Sequence, residues 1–190
     1  ELKPVLLKNI DNRIFVFDMG KNIAGLCRLT VKNADGIKFT LRHGELLKDD
    51  GTLQQGNIDV YYRPEKPGEV FQCDEFTAHG NAQTSFTPQF TYHGFRYVQV
   101  ECSQPYNLSA DNLTGLHIHT KLSPVGSFHC SNELLNKIYR ATCLSYINNA
   151  HSIPTDCPQR EKNGWTCDAW ISADLGLLNY DGIKFYEKWM

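Results

Sequence analysis

Along this chain the spacing of apolar residues changes once, near Cys130, and that change limits the folds available to it. Before Cys130, apolar and polar residues alternate in short runs. After it, apolar residues recur every three or four positions. Alternation puts successive side chains on opposite faces of a strand, whereas a three-to-four spacing draws one stripe along a helix. No single regular element satisfies both periods. The chain therefore divides into an antiparallel β-sandwich over residues 1–129 and a helical part over 130–190.

Within the β part, Ile14-Phe15-Val16-Phe17 is a short apolar run closed by Asp18-Met19-Gly20. From Ala24 to Val31, Cys27, Leu29 and Val31 share one face, and Arg28 and Thr30 the other. A turn at Asn33-Ala34-Asp35-Gly36 follows, and then Ile37, Phe39 and Leu41 oppose Lys38, Thr40 and Arg42. This pattern predicts a hairpin between the two segments. Lys48-Asp49-Asp50-Gly51-Thr52 has the chemistry of a further turn. A polar stretch over 64–83 holds a weak strand signal at Val70 and Phe71. Phe90 to Val100 is the strongest strand, with Gly94 a point of bulging or close approach. Leu113 to His119 alternates again, setting Leu116 and Ile118 against His117 and His119.

In the helical part, Ser131 is an expected N-cap and Glu133 suits the positive end of the helix dipole. Leu134, Ile138, Ala141, Leu144 and Ile147 form the stripe. Pro154 requires that helix to end before His151. A second helix is expected over 165–179 and, after Asp181-Gly182, a third from Ile183. Two or three helices cannot bury their own apolar faces, so the second domain reads as the opening of a longer helical array.

Composition narrows function mainly by exclusion. A net charge of −2 with dispersed lysines and arginines gives no electrostatic footprint for nucleic acid. No apolar run reaches the length of a membrane span. The first residues lack a signal-peptide pattern and an initial methionine, so the N-terminus reads as cut from a longer protein; cytoplasm and export both stay open. Seven cysteines, an odd number without a C-x-x-C pair, suggest free thiols rather than a disulfide or zinc framework. No metal and no cofactor is called for.

The densest chemistry runs from Asp156 to Asp168, Asp-Cys-Pro-Gln-Arg-Glu-Lys-Asn-Gly-Trp-Thr-Cys-Asp, and all three tryptophans (Trp165, Trp170, Trp189) lie at this end. Pro158 and Gly164 make it a loop between helices. Carboxylates, an arginine and an aromatic face are what a sugar hydrolase uses: an acid, a base, hydroxyl partners and a stacking surface. Asp156, Glu161 and Asp168 are the candidate carboxylates. A solvated turn next to a core tryptophan accounts for the same composition without catalysis. His117-x-His119 near His129 is explained better by an exposed strand face than by a metal. Cys157 with His151 lacks an activating context for a nucleophile. Gly20 and Gly25 are too far apart for a phosphate loop.

The Asp156–Asp168 motif resembles the signature of bacterial α-L-rhamnosidases, glycoside hydrolase family 78. Phe17-Asp18-Met19-Gly20-Lys21-Asn22-x-Ala24-Gly25, Leu41-Arg42-His43-Gly44-Glu45-Leu46-Leu47 and Phe90-Thr91-Tyr92-His93-Gly94-Phe95-Arg96-Tyr97-Val98 are similar to the sandwich domain preceding the catalytic domain there. Ser127-Phe128-His129-Cys130-Ser131-Asn132 is similar to the start of that family's (α/α)6 barrel. The resemblance implies inverting hydrolysis of terminal α-L-rhamnose from a rhamnose-containing glycan or glycoside, without a cofactor. It implies Glu161 as general acid, Asp156 and Arg160 on sugar hydroxyls, Trp165 lining the pocket and Asp168 completing the acidic cluster. The family's general base lies further along the barrel, beyond Met190, so residues 1–190 alone are expected to be inactive. Two departures stand out. The loop is one residue shorter than the common signature between Arg160 and Gly164, and Cys167 replaces a usual glycine, which would strain it if φ were positive there. A carbohydrate-binding or structural sandwich without catalysis is the alternative, and another glycosidase specificity the nearer one.

Overall fold

The computed structural model describes residues 1–59 and 71–190. The chain forms two compact units, Glu1–His117 and Ile118–Met190. The helical run begins at Glu133, and the irregular segment 118–132 groups with it.

The first unit contains β1 (Val5–Ile10), β2 (Ile14–Val31), β3 (Lys38–Gly44), the short β4 (Leu46–Leu47) and β5 (Leu53–Gln54), and the single helical turn α1 (Gly56–Asp59). It continues with β6 (Cys73–Thr77), β7 (Thr84–Phe86), β8 (His93–Cys102) and β9 (Leu113–His117). The main sheet is antiparallel throughout, in the order β1-β2-β8-β3-β6, with β7 and β9 also pairing β2. β2 is the organising strand. Its first part lies between β1 and β8, and from Gly25 onward it pairs with β9, then also with β7. β2 is buried almost continuously over Phe15–Phe17 and Ile23–Cys27.

Two expectations need correction. Ile14–Phe17 and Ala24–Val31 are not separate strands but one strand of 18 residues with a register shift between Asp18 and Ile23. Gly20 takes φ +78 there, which suits a residue without Cβ. Arg96 clamps the irregularity, donating from Nε and Nη2 to the two Asp18 oxygens at 2.9 Å each, while Gly20 N–H donates to Oδ1 at 2.7 Å. The expected hairpin also fails. β8 inserts between β2 and β3 and pairs antiparallel with both, so that neither of its edges is left without backbone partners. The alternation itself holds: Cys27, Leu29, Val31, Ile37, Phe39 and Leu41 all face the core.

Close approaches explain two more residues. A Cβ on Gly25 would lie 1.9 Å from Leu116 O, so β9 can pair with β2 only against a glycine. Gly94 is approached by the Gln72 carboxamide, which accepts from Gly94 N at 2.8 Å and donates to Gly94 O at 3.0 Å. Of the weak strand signal at Val70 and Phe71, Val70 lies outside the described residues, and the observed strand starts at Cys73.

The second unit contains α2 (Glu133–Asn148), the tiny ladder of β10 (Ala150–His151) and β11 (Ile153–Pro154), α3 (Thr166–Asn179) and α4 (Ile183–Trp189). These match the expected elements closely. The N-cap of α2 is Asn132 rather than Ser131, its side chain accepting from Leu134 N at 2.9 Å. The buried Asn136 ties the preceding segment to the helix, bonding Cys130 N and O at 3.0 and 2.8 Å. Where α2 meets α3, Tyr146 lies over Gly176, and a Cβ there would come within 2.3 Å of the phenol oxygen. Burial raises the Tyr146 phenol far above its ordinary pKa, and its hydrogen bond to Tyr186 adds to the rise. Among the described residues, no helix is long and apolar enough to cross a membrane.

Candidate functional site

Pro154 and Ser152, the latter at φ +67, turn the chain out of α2 through the β10–β11 ladder and into the Asp156 loop. Thr155 N–H and hydroxyl both reach Asn149 O, at 2.8 and 3.1 Å, anchoring the loop's first end to the foot of α2. The loop closes on itself through Asp156. Its backbone N–H donates to Asn163 O at 2.9 Å, and its Oδ1 accepts from Asn163 N at 2.9 Å. Lys162 takes φ +55 just before this closure. Gly164 then passes beside Trp189 and Ile153, where a Cβ would come within 2.9 and 3.0 Å of their atoms.

Within this frame the candidate residues fall into two connected pairs. Glu161 and Trp165 meet directly, the indole Nε1 donating to Glu161 Oε2 at 2.9 Å, and both are exposed. Asp156 and Asp168 line one cavity of about 380 Å³ together with Tyr146, Asn149, Ser172 and Phe185. Cys157 links the pairs: its Sγ lies 3.0 Å from Asp156 Oδ2 and accepts from Glu161 N at 3.4 Å. Arg160 is half-buried in the same turn. Trp165 is the N-cap residue of α3, which puts Asp168 in the first helical turn. That position is favourable for a carboxylate whatever else it does.

Cys167 sits in the same helical turn, and its φ is not in the positive range, so the strain that a replaced glycine could bring is absent. Cys157 does not pair with His151 as a nucleophile and base would. His151 instead turns Nε2 to Asn148 O at 3.1 Å. All seven cysteines are free thiols. Burial pushes Cys73 and Cys102 up to about 11 and also raises Cys27 well above the ordinary thiol value, which leaves those thiols inert near neutrality.

A second polar cluster, in the first unit, escapes sequence reasoning. His43, Asp74 and His93 come from β3, β6 and β8, and one ligand atom of each lies within 4.8 Å of the others. The two histidines belong to two of the quoted sandwich motifs, but no shared spacing connects them to each other or to Asp74. The two imidazoles stack with centroids 4.2 Å apart and planes 23° from parallel. In-plane lone pairs on such rings run side by side and do not converge as a tetrahedral ion requires. Each ring has a nitrogen in a hydrogen bond, His93 Nε2 lying 3.0 Å from Asp74 Oδ2 and His43 Nδ1 3.2 Å from Gln72 O, while His93 Nδ1 is buried without a hydrogen bond among the described residues.

Comparison with known proteins adds the family. Residues 8–119 match the bacterial alpha-L-rhamnosidase concanavalin-like domain, and residues 123–190 match the bacterial alpha-L-rhamnosidase 6 hairpin glycosidase domain. An alpha-L-rhamnosidase of Formosa agariphila is 33% identical over 180 residues, covering 93% of this chain and 18% of the relative. One of Streptomyces avermitilis is 33% identical over 178 residues, covering 93% and 16%. The chain thus spans less than a fifth of the length of these relatives. Among solved structures, the alpha-L-rhamnosidase of Dictyoglumus thermophilum superposes with a TM-score of 0.88 at 35% identity, covering 98% of this chain and 20% of that one. The Streptomyces avermitilis enzyme complexed with L-rhamnose gives 0.87 at 31%, covering 99% and 17%. A concanavalin-like sandwich followed by the start of a six-hairpin glycosidase domain, matched over nearly its whole length, places this chain in the bacterial α-L-rhamnosidase family.

Proposed function

We propose that the intact protein carrying this chain is a glycoside hydrolase that removes terminal α-L-rhamnose from glycans or glycosides with inversion at the anomeric carbon. The observation that carries the reading is the placing of Asp156 and Asp168 on one cavity, with Glu161 held by Trp165 on the same loop, in the six-hairpin segment. Glu161 is the general acid, protonating the leaving oxygen. The indole N–H of Trp165 fixes the orientation of its carboxyl group and leaves the ring face to the sugar. Asp156 and Arg160 hold sugar hydroxyls, and Asp168 completes the acidic wall. Inversion needs a second carboxyl group about 6.5–9.5 Å from the acid, leaving room for a water. That general base lies beyond Met190 on this reading.

The test is turnover of an aryl α-L-rhamnoside by the intact protein. Glu161→Gln keeps the indole hydrogen bond but removes the transferable proton, and should lower kcat by about 10²–10⁴. Unchanged turnover sinks the assignment. Residues 1–190 alone should release no aglycone, and enzyme-borne release would refute the location of the base. A β-configured first product by NMR checks inversion. The alternative of a sugar-binding sandwich without catalysis predicts rhamnoside binding that survives deletion of residues 131–190.

A further inference from the structure

The thiol of Cys157 occupies a place that the rhamnosidase reading leaves without a role. It is half-buried, and it bonds to both Asp156 and Glu161. As an S–H donor it reaches Asp156 Oδ2 at 3.0 Å, and as an acceptor it receives Glu161 N–H at 3.4 Å. With Asn163 N on Oδ1, both oxygens of Asp156 are held by donors of their own loop. Each oxygen keeps a second lone pair for a sugar hydroxyl.

Glu161 is fixed at two points in turn, its backbone N–H on sulfur and its carboxyl on the Trp165 indole. The residue after Cys157 is proline, which offers no backbone N–H to compete for these acceptors and restricts the backbone of Cys157. The thiol both donates and accepts at this point, and sulfur's longer reach spans the two partners at once. Serine can make both bonds at shorter range. Valine fills the volume and can make neither.

We propose that Cys157 is a positioning residue: through its thiol it locks the sugar-binding carboxylate Asp156 and the backbone of the acid Glu161 into one arrangement. The assignment rests on the rhamnosidase reading above. Misplaced hydroxyl partners and a misplaced acid lower turnover even when binding survives.

The experiment compares Cys157→Ala, Cys157→Val and Cys157→Ser in the intact protein, measuring kcat and KM on an aryl α-L-rhamnoside and the thermal unfolding midpoint of each. Ala and Val should lose roughly tenfold or more in kcat/KM, mostly in kcat, as expected for losing hydrogen bonds to a charged group. Ser should stay within about threefold of wild type, with a midpoint no higher than that of Val. Val matching wild type while Ser falls would make the site a packing position and overturn the proposal. Ala matching wild type would overturn it as well. Should Ala fail to fold, the ratio of Ser to Val decides alone. A wild-type protein that releases no rhamnose overturns the functional reading itself, and this assignment falls with it.

Discussion

The two units treat their apolar residues in opposite ways. In residues 1–117, Phe15, Phe17, Phe39 and Phe95 are wholly inaccessible, and the strands that carry them supply one another's cover. In residues 118–190, Trp170 is 77% exposed, Leu178 73% and Ile171 70%, although all three belong to a well-formed helix. Sheet pairing brings distant strands together and closes a core within about a hundred residues. A helical hairpin presents an apolar stripe that only further helices can cover. The first unit therefore has an extensive core of its own, and the second adds to its caps and loop hydrogen bonds only a small buried group, with Tyr146, Ile147, Ala169 and Phe185.

The strongest challenge to this contrast is Phe95→Ala. Removing a fully buried ring should cost the first unit about 3–5 kcal/mol. All three tryptophans lie in the second unit, so their fluorescence follows that unit alone, while hydrogen exchange of the β2 and β8 amides follows the first. In urea, the exchange-detected transition should move to lower concentration and the fluorescence transition should stay. Joint movement would mean that the units unfold as one, which breaks the contrast.

A smaller effect probes the clamp on β2. The Arg96 guanidinium holds the Asp18 carboxyl below the usual carboxylate range, with the Gly20 N–H assisting and burial opposing. A lowered folded pKa stabilises the fold above the unfolded value near 4, and that contribution is lost as pH falls through the folded value. Arg96 is partly exposed, so the contribution is about 1 kcal/mol. Asp18→Asn should flatten the loss of stability below about pH 4, as measured by the urea midpoint of exchange-protected β2 and β8 amides across pH. An unchanged acid limb would assign it to other carboxylates. The smallest effect belongs to Trp170→Ser, which should leave the stability of residues 1–190 within about 0.5 kcal/mol. A larger loss would show that the second unit has a core of its own.

Legibility in the sequence follows the range of the interactions. Helix ends were readable because their signals are local: α2 ends ahead of Pro154, Asp181-Gly182 separates α3 from α4, and Asn132 lies one residue from the expected cap. Facing along strands was readable for the same reason. Strand neighbours were not. β8 comes between β2 and β3 although it follows them by some fifty residues, and the clamp that keeps β2 continuous past Gly20 arrives from Arg96, 78 positions away from Asp18. At the candidate site the residue types were legible and their connections were not. Spacing alone could not reveal that Cys157 reaches Glu161 N, or that Asp156 and Asp168 share a cavity with the foot of α2.

The Gln72 carboxamide carries the same donor and acceptor pair as a peptide group, and it spends both on Gly94 as a neighbouring strand would. The difference between glutamine and glutamate at this position is one atom. With an oxygen in place of the nitrogen, the buried carbonyls of Gly94 and His43 would face a second acceptor where they now receive a proton. Slow hydrolysis of that single amide, as happens when proteins age, would turn a stitch in the sheet into a point of repulsion without changing the shape of the side chain.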